Sequence, residues 1–108
     1  MERLPKAYQL FRSRYPKVQA AHQKLAEACH QAGPLDQKTR ELVKLGIAVG
    51  AQHEGAVHAH IRFALAAGAT ADEIRHAVVL GTSTIGFPRT TAALTWADDL
   101  LGARRGKK

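Results

Sequence analysis

The chain has 108 residues, 45% of them hydrophobic and mostly Ala, Leu and Val, which bounds it to one domain with a modest core built from helix-favouring side chains. No run of about 18 apolar residues occurs, so no membrane-spanning helix is expected, and positions 1–17 lack the apolar stretch of a secretory signal. The net charge of +7 invites a nucleic-acid reading, but Arg104, Arg105, Lys107 and Lys108 are four of the 16 basic residues; the other 12 against 9 acidic residues leave +3, scattered and without aromatic interleaving, which argues against nucleic acid as the partner.

Taken in order, positions 4–14 read as a short amphipathic lead-in, helical in part. Pro16 suits the first turn of a helix, and Val18, Ala21, Leu25 and Ala28 follow at helical spacing, so a helix is expected over 16–32. Cys29 adjoins that stripe and is expected to be a small buried residue rather than a nucleophile. As the single cysteine it can form no internal disulfide, which fits a reducing cytoplasm. Gly33-Pro34 stops the helix, and Asp36 is placed to cap the next one. Over 37–50, Leu42, Leu45 and Val49 share a face, while LGIAVGA is apolar nearly all round; such a helix belongs in the core or at a subunit contact.

Ala51 and Gln52 form a break, and a further helix is expected over 53–67, stopped by Gly68. Thr70 and Glu73 make a T-x-x-E capping box for the following helix, where Ile74, Ala77, Val78 and Gly81 recur at helical spacing. GTSTIG at 81–86 is mostly small and polar, and no helix is assigned to it. Pro88 opens the last helix, 88–101, with Ala93, Trp96, Ala97 and Leu100 as its apolar stripe and Gly102 at its end. The domain is expected to span 1–103, with 104–108 a frayed basic tail.

The segment after the break concentrates His53, His58 and His60 in eight residues. At about 100° per residue, His53 and His60 share a helix face, whereas His58 points about 140° away from His53 and lies four residues from Glu54, in reach of an ion pair. One helix therefore does not gather the three as one ligand set. The metalloprotease motif H-E-x-x-H sets two imidazoles one turn apart, and His53-Glu54-Gly55-Ala56-Val57-His58 is one residue too long for it. No metal is expected; a site would need ligands from other helices or subunits. His60 suits proton transfer near neutrality, and a carboxylate beside it would orient the ring. Glu41 is a candidate, but spacing leaves the pairing open. Periodicity alone favours a solvated first-turn Glu41 and a satisfied interior His60.

Over 35–101 the sequence resembles the carboxymuconolactone decarboxylase family, which includes the alkylhydroperoxidase D-like proteins. LDQKTRELVKLGIAVG resembles its first core helix; HAHIRFALAAGATADEIRHAVVL its histidine helix, Gly-Ala-Thr turn and following helix; GFPRTTAALTWADD its closing helix. The resemblance implies an all-α, single-domain helical bundle of the alkylhydroperoxidase D-like type, assembled as homo-oligomers, trimers or hexamers. Peroxidase-type members carry E…C-x-x-C-x-x-x-H, with the glutamate twelve residues before the first cysteine. Glu41 and His60 match the glutamate and the histidine, but His53 and Ala56 occupy the cysteine positions. Without a thiolate there is no nucleophile for that chemistry, so CxxC-type peroxidase or disulfide-reductase activity is not expected.

What remains resembles the decarboxylase branch, which lacks the cysteine pair. The resemblance implies a carboxy-lyase that needs no cofactor and acts on a small anionic lactone or ring compound by acid–base chemistry. His60 and His53 are the acid/base candidates, with Glu41 setting the state of His60; these three are the expected catalytic set. Arg62 or Arg89 is expected to hold the substrate's carboxylate. The alternative is a non-catalytic, oligomeric member that binds a small ligand or partner.

Overall fold

The computed structural model describes residues 6–102, and the basic tail expected at 104–108 lies outside them. Among the described residues there are seven helices and no strand, so the fold is all-α: α1 (Lys6–Arg14), α2 (Pro16–His30), α3 (Gln37–Gly50), α4 (Glu54–Ala66), α5 (Ala71–Val79), α6 (Thr82–Ile85) and α7 (Phe87–Leu101). None of the described helices is long and apolar enough to cross a membrane. The chain divides after Leu35 into two compact units, a boundary that falls inside the span 1–103 expected to be a single domain.

The first unit is the pair α1 and α2. Gln19 Nε2 donates to the Tyr8 hydroxyl at 2.8 Å, and the rings of Phe11 and Tyr15 lie 5.4 Å apart. Pro16 occupies the first turn of α2, as its fixed φ predicts. Neither helix buries a residue. The stripe holding Val18 and Leu25 is real but uncovered, 55% and 60% exposed, and Cys29 is exposed with it. This corrects the expected burial of Cys29: periodicity identifies a stripe and cannot say whether anything covers it.

The second unit is a bundle in which α3 packs on α4 and α5, and α7 packs on the same two helices. Its core is Leu45 from α3, Val57, Ile61 and Ala64 from α4, Ile74 and Val78 from α5, and Ala93 and Ala97 from α7. The alanines allow close helix approach. The larger aliphatic side chains stabilise by about 1.5–3 kcal/mol each on full burial. Polar ties reinforce the packing at the rim. Lys38 of α3 reaches both carboxylate oxygens of Glu73 on α5, at 3.1 and 3.3 Å, and Arg75 of α5 donates to Asp98 of α7 and to the Gly102 carbonyl.

Local signals set the helix ends. Asp36 accepts from the Thr39 N–H at 2.9 Å, and Thr70 and Glu73 form the expected capping box. These hydrogen bonds, from Thr39 to Asp36 and from the Thr70 backbone to Glu73, hold both carboxyls below their ordinary range. Helix α4 closes with Gly68 at φ +99, its N–H bonded to Leu65 and that of Ala69 to Ala64, the pattern of a Schellman motif. Helix α3 closes in the same way, with Gln52 in the left-handed position at φ +56, its N–H on Val49 and the His53 N–H on Ala48. The segment 82–85, to which no helix was assigned, forms the short α6, its hydrogen bonds starting from the Gly81 carbonyl.

Candidate functional site

The turn between α3 and α4 builds the site. His53 is both the residue whose N–H closes α3 and the residue that caps α4. Its ring Nδ1 accepts the backbone N–H of Ala56 at 3.0 Å. The sequence placed His53 inside the helix, and the structure places it one step outside. The reason is that an imidazole nitrogen here does what an Asp or Ser oxygen usually does at an N-cap. The ring lies over the first turn of α4, with Cε1 3.3 Å from where a Cβ on Gly55 would sit.

One and a half turns into α4, His60 Nδ1 lies 3.2 Å from Glu41 Oε1. Glu41 is not the solvated first-turn acid that periodicity favours; it is 5% exposed, on the inner side of α3. A carboxylate has no hydrogen to give, so the bond is donated by the ring at Nδ1. The His60 ring also meets Phe63 edge-on, with centroids 5.8 Å apart. The structure therefore joins two of the three expected site residues directly.

The third, His53, shares a pocket with His60. A pocket of about 420 Å³ between α3 and α4 is lined by Lys44, Ile47, Ala48, Ala51, His53, Ala56 and His60. Its lining is aliphatic apart from the two histidines and Lys44. Neither Arg62 nor Arg89, the cations expected to hold an anion, lines this pocket. Lys44 does, one turn along α3 from Glu41. Sequence reasoning missed it, although its i,i+3 spacing from Glu41 was the available signal.

His58 takes a different role. Its Nε2 is 3.0 Å from Asp99 of α7 and 4.0 Å from Glu54, so the helical pairing with Glu54 is present and a partner 41 residues away is added. Together Glu54, His58 and Asp99 offer three ligand atoms within 4.8 Å of one another, the group among the described residues that could hold a cation. Two of the three are exposed, and the mutual hydrogen bond and ion pair already account for their placement.

The chain belongs to the carboxymuconolactone decarboxylase family, whose profile matches residues 16–99. A crystal structure of an apo carboxymuconolactone decarboxylase family protein from Legionella pneumophila is similar in fold, with a TM-score of 0.72 at 24% identity over 88% of this chain and 84% of that one. An uncharacterized protein of Haemophilus influenzae is 44% identical over 46 residues, which span 43% of this chain and 41% of that protein, under half the length of that relative.

Proposed function

We propose that the chain is a cofactor-free carboxy-lyase acting on a small anionic lactone or related unsaturated ring compound by His/Glu acid–base chemistry. The observation that carries this reading is the Glu41–His60 hydrogen bond beside an apolar pocket. The carboxylate orients the imidazole, and the aliphatic walls of the pocket offer contact to a ring compound of modest size. Lys44 supplies the positive group that holds an acid substrate until carbon dioxide leaves.

The test is carbon dioxide release from a panel of small unsaturated γ-lactone acids. Release is expected from the wild type, lost in His60→Gln, reduced in Glu41→Gln, and intact in Cys29→Ser. No release from any acid, with binding of one of them retained, would favour the second reading, a non-catalytic ligand-binding member. Self-association accompanies either reading. Ile47, Leu80 and Phe87 are 66%, 61% and 68% exposed, and such side chains favour burial against another copy, as a trimer or hexamer. Light scattering of the purified protein tests this, and a monomer at micromolar concentration would overturn it.

A further inference from the structure

We infer that His53 and His60 are complementary neutral tautomers that work as a push–pull pair on a carbonyl compound: His60 Nε2 takes and returns the proton on carbon, and His53 Nε2–H holds the carbonyl oxygen as it becomes an enolate. The inference rests on the acid–base reading above and assigns the two imidazoles distinct roles and the substrate a chemical class.

The assignment follows from what each Nδ1 does. In His60, Nδ1 faces the Glu41 carboxylate at 3.2 Å and carries the hydrogen, so Nε2 carries the lone pair. In His53, Nδ1 accepts the Ala56 N–H at 3.0 Å and holds the lone pair, so Nε2 carries the hydrogen. A backbone amide can only donate and a carboxylate can only accept, so the two partners impose opposite tautomers. The Nδ1–Cε1 edge of His53 is committed to the first turn of α4, against Ala56 and Gly55. Both histidines line the same apolar pocket, and the hydrogen bonds that the two rings make among the described residues are at Nδ1. The His53 ring also sits at the N-terminus of α4, whose dipole favours negative charge developing nearby.

A donor and an acceptor beside an aliphatic cavity fit a step with an enolate. The C–H bond next to a carbonyl breaks; the proton goes to His60 Nε2 and the electron pair moves to the carbonyl oxygen. That oxygen accepts the hydrogen bond of His53, and Glu41 accepts from the far side of the resulting imidazolium. The proton then returns to carbon, and nothing is oxidised or reduced. In a decarboxylation the same enolate arises when the carbon–carboxylate bond breaks and carbon dioxide leaves. His60 then delivers to carbon a proton taken from solvent. The substrate class is thus a small carbonyl or lactone acid with an acidic or carboxylated carbon beside the carbonyl.

The experiment pairs tautomer identification with an enolate mimic. Long-range proton–nitrogen NMR of the full chain at a pH where imidazoles are neutral should show the Nε2–H form for His53 and the Nδ1–H form for His60. In the same conditions 4-nitrophenolate should bind in the pocket and prefer it over uncharged nitrobenzene. His53→Ser keeps an N-cap acceptor but removes the ring donor; it should retain the fold and lose about tenfold or more of that preference. The opposite tautomer in either ring overturns the proposal whatever binds. Correct tautomers with an unchanged preference in His53→Ser remove the oxygen-holding role and leave the acid–base reading standing. Correct tautomers with no binding of either probe overturn both.

Discussion

Helix α4 carries one kind of side chain in two settings. His60, on its inner side, meets a carboxyl whose side chain is 7% exposed, and its neighbours Val57 and Ile61 are fully buried. His58, two residues earlier, meets carboxyls that are 51% and 55% exposed. The distances are nearly the same, 3.2 and 3.0 Å, so geometry alone does not separate the two pairs. What separates them is water. A solvated pair exchanges one set of hydrogen bonds for another at little net gain, while a buried carboxyl that loses its donor has little water to replace it.

That contrast can be tested from its strongest side downward. Ile61, next to His60 in sequence, is fully buried, and Ile61→Ala should cost about 2–5 kcal/mol in urea denaturation. A loss under 1 kcal/mol would mean that the inner face of α4 is not the core. Next, His60→Ala should cost about 1–3 kcal/mol by removing a donor from the buried Glu41. His58→Ala should stay within about 1 kcal/mol and fade with added salt, as exposed pairs do. Equal costs at the two histidines would break the comparison.

The smallest effect lies on the exposed helix caps. Asp36 and Glu73 have folded-state pKa values below their ordinary 3.8 and 4.5, because the Thr39 hydrogen bonds and the Thr70 backbone N–H respectively favour the charged form. A carboxyl lowered on folding stabilises at pH above its unfolded value, and this contribution is lost as pH falls through the folded one. The melting temperature should therefore decline below about pH 4.5 with a share from these two groups. Asp36→Asn, which can still accept at the cap, should flatten that decline slightly and leave the neutral-pH melting temperature nearly unchanged. An unaltered acid slope would show that the Asp36 charge contributes nothing.

Much of the helical layout was legible because its signals are local. Gly33-Pro34, Asp36, the Thr70–Glu73 box and Pro88 each act on residues within one turn, and each helix end fell within about two residues of its expected place, ordinary scatter for such boundaries. The resemblance singled out Glu41 and His60, but their meeting depends on how α4 folds back on α3, and no periodicity contains that. Asp99 went unnoticed beside His58 for the same reason, 41 residues distant in sequence. The cap role of His53 was missed because imidazole is rare at that position. Cys29 and the helix at 82–85 were misjudged because a stripe does not reveal its cover and small polar residues suggest a loop.

Between α3 and α4 lie three residues, Ala51, Gln52 and His53, and each has a task. Ala51 ends one helix, Gln52 reverses the chain at positive φ while its side chain reaches the Val49 and Arg89 carbonyls, and His53 closes one helix and opens the other. This joint has no slack. Most surface turns absorb an added or deleted residue with little consequence, but here either change would part the imidazole from the helix start it caps. The constraint on this stretch is one of length as much as of composition. Variation in chain length among functional relatives should be absent here and tolerated elsewhere, at turns that hold no side chain of the pocket.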